Sequence, residues 1–381
     1  MPATPPELTH YQSPSEDSGR WIGFRFRPGD IVISTSRKTG TTWVQMICAL
    51  LIFQTPELPD PLWNLSPWLD NLGIPLSVQY HQLAEQQHRR FIKTHTPLDG
   101  IPFDPRVSYI VTARHPLDTF VSLCHHNEIR GHPPEGFGPP PGGFGPPPGG
   151  FRPPPEGFGP PPEGFGPPPG GFGPPPGGFG PPPGGFGHPP PLEHRPGQPT
   201  PPRPGGPPRP PASPLLPPPT APGPPMSPEM LHDALLDWIA GDEDPRRNLD
   251  SLPGVLWHLS DAWARRGRPN VLIVHYDNLL ADLEGQMRWL AGRLGIAVAE
   301  NAWPALIQAA TLERMRDRAE SLIPTPPGVV EKAASFFRRG TSGAGREILS
   351  DEEMAGYYAR AAQLAPPDLL EWLHSPSSRE G

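Results

Sequence analysis

Residues 133–228 decide what the remainder of the chain must do. About seven in ten of them are Pro or Gly, too little apolar surface to order a chain. Gly-Phe-Gly-Pro-Pro-Pro recurs there, with phenylalanines from Phe137 to Phe186 at a strict spacing of seven. The spacing is not a coiled-coil heptad, because Pro and Gly forbid helix. Nor is it collagen, because Gly does not fall at every third position. Short polyproline stretches joined by flexible hinges are expected. Any core must come from the ~285 residues on either side, enough for one sizeable α/β domain. Closing a coil of this length costs only about 2 kcal/mol more than closing a ten-residue loop, so an insert here leaves a domain intact. The chain is thus divided into a flexible 1–19, a first half 20–132, a disordered insert 133–228, a second half 229–373 and a flexible 374–381.

The first half opens with Asp30-Ile31-Val32-Ile33, a buried strand by its β-branched run, and Val44 to Phe53, apolar enough for a buried helix. Between them lies Ser34-Thr35-Ser36-Arg37-Lys38-Thr39-Gly40-Thr41-Thr42-Trp43. A strand, a tight turn and a helix beginning at hydroxyl residues make an anion cradle, since the first helical amides lack partners and carry the positive end of the dipole. Lys38 adds a charge, and Thr39, Thr41 and Thr42 add hydroxyls. The nucleoside-triphosphate loop requires Lys after its second Gly, whereas Lys38 precedes Gly40. Read alone, the stretch also fits, less well, an ordinary helix start with a solvated lysine.

Three further stretches carry charge to strand ends. Phe91-Ile92-Lys93-Thr94-His95 reads as a strand that Pro97 stops, leaving His95 at its carboxyl end, where ligands sit in doubly wound sheets. A lone histidine there is more often structural than catalytic. Val107 to Ala113 is a strand by β-propensity that runs into Arg114, with Ser122 two turns into the next helix. Asn270 to Tyr276 is another buried strand, followed by a helix to Leu294 with Gly295 as its C-cap. Further helices are expected from Ser227-Pro228, over Val255 to Arg266, Asp351 to Leu364 and Leu369 to Leu373.

Lys38-Thr39-Gly40-Thr41-Thr42-Trp43, Lys93-Thr94-His95, Arg114 with Ser122 and Arg338-Arg339-Gly340 together resemble the cytosolic-type sulfotransferases that use 3′-phosphoadenosine 5′-phosphosulfate (PAPS). The resemblance covers roughly residues 20–132 and 229–350. It implies an α/β, P-loop-like three-layer fold with a central, mostly parallel sheet flanked by helices. It implies PAPS as sulfuryl donor, His95 as catalytic base, Lys38 on the leaving phosphate oxygen and Lys93 on the transferring group. Arg37 and the loop through Trp43 would hold the phosphosulfate, Arg114, Ser122, Arg338, Arg339 and Gly340 the 3′-phosphate, and Tyr276 and Thr311 would lie near the nucleotide. Leu312 stands where the family usually has an aromatic, and Ala344-Gly345 where it often has Asp-Trp.

Net charge is −8, which favours neither nucleic acid nor an acidic membrane. Two cysteines, Cys48 and Cys124, indicate no disulfide framework, and no acidic metal-holding pattern is evident. No apolar run approaches the ~18 residues of a membrane span. A cytoplasmic enzyme sulfating a hydroxyl or amine of a small-molecule acceptor is the expectation. The repeat is a candidate for docking a polyproline-binding partner or for self-association through Phe, against neutral expansion in a permissive loop. The competing readings are a nucleotide-dependent kinase and a degenerate scaffold for the repeat.

Overall fold

A computed structural model describes residues 8–130, 226–323 and 342–375, apart from the side chains of residues 128–130. The described residues belong to one unit, Met1–Gly138 with Leu216–Gly381. The insert, its last three residues excepted, lies outside them, as do Arg338, Arg339 and Gly340.

Four strands, β1 (Ile31–Ser34), β2 (Phe91–Thr94), β3 (Ser108–Ala113) and β4 (Val271–His275), form one sheet in the order β2-β1-β3-β4. All pairs are parallel, with Ile31 opposite Phe91 and Ser108, and Tyr109 opposite Val271. Strand β4 of the second half thus pairs with β3 of the first, and the insert lies in the crossover between them. In chain order the helices are α1 (Thr41–Phe53), α2 (Leu62–Leu65), α3 (Leu76–Glu85), α4 (Pro116–Arg130), α5 (Pro228–Ala240), α6 (Leu252–Ala264) and α7 (Tyr276–Ala281). They continue with α8 (Leu283–Leu294), α9 (Trp303–Ala310), α10 (Leu312–Asp317), α11 (Ala319–Leu322), α12 (Asp351–Leu364) and α13 (Pro367–His374).

Both faces of the sheet are covered, as a parallel sheet requires. Ile31, Ile33, Ile110, Leu272 and Val274 pack on one face with α1, α8 and α9. Val32, Ile92, Tyr109, Val111 and Val271 pack on the other with residues of α4, α5, α6, α12 and α13. The period-2 alternation of strand side chains sorts these residues into two cores, giving three layers. Connections leave β1 towards β2 on one side and β3 towards β4 on the other. The carboxyl ends of β1 and β3 therefore flank the switch point, where such sheets bind ligands.

Two expectations change. Residues 8–19 are part of the packed body: Tyr11 is 3% exposed, its hydroxyl bonds Asp99 at 2.8 Å, and Glu16 pairs with Asn71 in an isolated bridge. The segment is polar because it lines a cleft, described below. The expected helix after β4 is broken at Asp282, whose side chain accepts from Gly285 N and caps α8. An aspartate stopped and restarted the helix, without Gly or Pro to mark the place.

Several histidines are sealed in the second core and around its edge. Burial pushes His258 down to about 4 and His115 to about 3. His374 falls to about 4, chiefly by burial and then beside Arg346, and burial also lowers His275. Each folded pKa lies below the unfolded value near 6.5, so as pH falls the unfolded chain takes up protons the fold refuses. Stability contributed by these groups is present above pH 6.5 and lost as pH falls towards 4. Burial raises Glu16, Asp70 and Asp261, which opposes this trend with fewer groups. Each tenfold change in proton affinity is worth about 1.4 kcal/mol. The thermal midpoint is expected to drop by more than about 5 °C between pH 6.5 and 4.5; a flat or rising midpoint would show the imidazoles to be hydrated.

Candidate active site

The loop after β1 is drawn tight by its own hydroxyls. Thr39 Oγ1 donates to Ser36 O at 2.7 Å and shares a 2.7 Å hydrogen bond with Thr112 Oγ1 on β3. Thr41 Oγ1 and Thr35 Oγ1 lie 2.6 Å apart. Thr39 and Thr41 are buried, so these hydroxyls brace the loop, where ligand donation was expected. Thr42 is partly exposed. Lys38 is left-handed at φ 63°, and Gly40 has φ 113°. A Cβ on Gly40 would lie 3.1 Å from the Tyr276 ring, so glycine is required there both by its backbone and by its neighbour. No side chain caps α1, which leaves its first amides for a ligand.

Arg114 reaches this loop from the end of β3. Its Nη1 donates to Lys38 O at 3.2 Å, and its guanidinium lies over the Tyr276 ring at 4.4 Å. Tyr276, the first residue of α7, meets Trp43 edge-on at 5.4 Å, and Trp43 Nε1 donates to Ala310 O at 2.8 Å. Lys38, Gly40, Trp43, Arg114 and Tyr276 thereby form one connected group drawn from three strand ends. Arg114 Nε is buried without a hydrogen-bond partner among the described residues, a donor suited to an anion. Ser122 is half-buried in the second turn of α4. Thr311 caps α10, accepting from Arg314 N at 3.3 Å and donating to Gln308 O at 2.9 Å. Asp118 accepts from Gly343 N and Gly345 N, each at 2.9 Å. Gly345 fits because a Cβ there would come within 2.5 Å of Leu117; this close packing accounts for glycine where the family often has Trp.

His95 sits one residue beyond β2, with its Nδ1 2.7 Å from Thr35 O. A carbonyl only accepts, so Nδ1 carries the proton and Nε2 keeps a lone pair. Burial, then the charges of Lys93 and Arg37, hold the imidazole well below its usual pKa. The ring stands edge-on to Trp68 at 5.0 Å, and Lys93 Nζ lies over the same indole at 4.1 Å. Beneath them Asp70 is fully buried, and its Oδ2 accepts from the hydroxyls of Thr94 and Thr96 and from His95 N at 3.3 Å. Ser34 Oγ donates to Thr96 O at 2.7 Å and lies 3.0 Å from His258 Nε2. Neither Asp70 nor His258 was visible in the sequence pattern, because their partners are distant in the chain.

Arg37 departs from the expected arrangement. Its Nε and Nη2 donate to Glu16 Oε1 at 3.0 and 2.5 Å, and its Nη1 to Asp250 Oδ2 at 3.3 Å. These residues, with Ser36, His95 and Thr96, line an open cleft. Arg37 therefore belongs to the histidine's cleft, away from the expected grip on the phosphosulfate. The site joins two chemistries: cations and helix amides suited to phosphate, and a neutral imidazole facing a cleft suited to proton abstraction.

A family model for the sulfotransferase domain matches residues 28–136 and 248–364, on either side of the insert. A glycolipid sulfotransferase of Mycobacterium bovis is 35% identical over 96% of this chain and 93% of its own. The fold is similar to that of mouse sulfotransferase SULT7A1 complexed with PAP (TM-score 0.54, 15% identity, 93% of this chain and 92% of that one). It is also similar to retinol dehydratase in complex with androsterone and PAP (TM-score 0.54, 15% identity, 92% and 86%). On the family match and the full-length relative, the chain belongs to the sulfotransferase family.

Proposed function

We propose that the protein transfers a sulfuryl group from PAPS to a hydroxyl or amine of an acceptor, directly and in line, with His95 as base. The observation that carries this reading is the His95–Thr35 hydrogen bond. It fixes a neutral imidazole with Nε2 available, at the foot of the loop that bears Lys38. PAP in two solved relatives of like fold supports the donor. The tyrosine-packed Gly40, the uncapped α1 and the buried Arg114 Nε suit a multiply charged nucleotide.

Bound PAPS supplies an activated sulfuryl group with phosphate as its leaving group. The α1 amides and Thr42 hold the 5′ end, and Lys38 neutralises charge growing on the leaving oxygen. Arg114 and Ser122 take the 3′-phosphate, together with Arg338, Arg339 and Gly340. Lys93, set on Trp68, lies on the same strand as the base and offers positive charge to the sulfuryl oxygens. The acceptor's O–H proton passes to His95 Nε2 as its oxygen bonds to sulfur, and the S–O electron pair leaves on the phosphate. This is positioning plus electrostatic stabilisation, as in phosphoryl transfer.

The 35% identical glycolipid sulfotransferase makes glycolipids the first acceptors to try. We place the enzyme in the cytoplasm. Cys48 and Cys124 are buried, and no described helix is long and apolar enough to cross a membrane. The two halves on either side of 133–228 make one catalytic domain, and its first half takes in residues 8–19.

Incubation with sulfur-labelled PAPS and a panel of glycolipids, phenols and amines tests the activity. Equal amounts of PAP and sulfated product are expected, and no PAP binding with no labelled product would refute it. Arg114→Ala is expected to weaken PAP binding about 10–100-fold in calorimetry, the range for losing hydrogen bonds to a charged group. An unchanged affinity would remove Arg114 from the nucleotide site.

A further inference from the structure

The cleft beside His95 is walled by charged side chains that the sulfuryl-transfer steps above do not use. Glu16 and Asp250 grip Arg37 from chain positions 21 residues before and 213 after it. All three keep some exposure, their side chains being 10%, 20% and 23% accessible. Glu16 Oε1 takes both Arg37 contacts, and among the described residues Oε2 takes no hydrogen bond. Burial pushes this carboxyl up to about 7 despite Arg37, so removing it from water is costly. A half-buried ion pair adds little stability over apolar residues of like volume, so stability alone gives no reason for charge here.

An independent feature points to a ligand. Ser36, 2% exposed, lines the same cleft, and its hydroxyl has no hydrogen-bond partner among the described residues. A buried hydroxyl in that condition is costly, and a polar group entering the cleft would offset the cost.

We propose that Glu16, Arg37 and Asp250, with the Ser36 hydroxyl, form a specificity site for a polyhydroxylated, sugar-like acceptor. This assumes the sulfotransferase reading, with the reacting hydroxyl at His95 and its neighbours on the clamp. Carboxylate oxygens accept from sugar hydroxyls, and the guanidinium donates to their oxygens; such charge-assisted bonds are about twice as strong as neutral ones. A single-hydroxyl alcohol or phenol meets His95 but leaves the clamp desolvated and unmatched. Sites built to bond hydroxyls reject analogues lacking them far more strongly than apolar pockets reject an added group.

Calorimetry on the full-length protein, with and without PAP, tests this with octyl glucoside below its micelle concentration and 1-octanol as the single-hydroxyl comparison. The wild type is expected to bind the glucoside at least ten-fold more tightly than octanol. Glu16→Gln and Asp250→Asn are each expected to weaken glucoside binding ten-fold or more and to keep PAP affinity within two-fold, which also shows the variants folded. Equal binding of glucoside and octanol by the wild type, or wild-type glucoside affinity in both variants, would overturn the clamp. Failure of the wild type to bind PAP would instead overturn the sulfuryl-transfer reading, and glucoside binding without PAP would still report on the clamp.

Discussion

His95→Ala is expected to lower turnover by roughly 10²–10⁴-fold, the usual contribution of a positioned base, with PAP affinity within about two-fold. The imidazole hydrogen-bonds the loop at Thr35 O, whereas Arg114 lies over Tyr276. Removing the ring thus removes the proton acceptor and spares the cradle. His95→Gln keeps a donor for Thr35 O but supplies no base, so it should be nearly as slow as alanine. Single-turnover measurement at saturating PAPS separates the step from binding. Alanine turning over normally would mean that another group takes the proton.

Lys38→Ala is expected to slow transfer by about 10²–10³-fold, the scale seen when one donor to a developing negative charge is lost. PAP affinity should fall by a smaller factor, because the leaving oxygen carries most charge in the transition state. The backbone does not confound the comparison. Lys38 is already a non-glycine residue at φ 63°, and alanine meets the same strain there. Its carbonyl still accepts from Arg114. Equal losses in PAP affinity and in rate would make Lys38 a ground-state ligand only.

Much of this arrangement was legible locally. The apolar runs 31–33 and 44–53 with one intervening glycine could only be strand, turn and helix, and the strand ending in Arg114 announced itself by its β-branched residues. That the two halves would build one domain was expected from the Pro- and Gly-rich composition of 133–228, and β4 of the second half does pair with β3 of the first. The acceptor cleft was hidden. Glu16 lies in a polar, Pro-rich leader that looks unstructured, and Asp250 stands more than 200 residues from Arg37; an ion pair across such separations leaves no periodic trace. For the same reason Arg37, next to Lys38, was grouped with the nucleotide cations. The Asp118 carboxylate is likewise taken by Gly343 N and Gly345 N, more than 220 residues on, a pairing no local pattern reveals. Arg338, Arg339 and Gly340 fall outside the described residues.

A crystal structure of the protein grown with PAP tests the central claim most directly, because it reports where the nucleotide sits without any acceptor. The 5′-phosphate is expected on the first amides of α1 beside Lys38, and the 3′-phosphate against Arg114 and Ser122, with His95 Nε2 facing the side from which the 5′-phosphate would carry sulfur. A nucleotide bound elsewhere, or one whose 5′-phosphate is screened from His95, would contradict it.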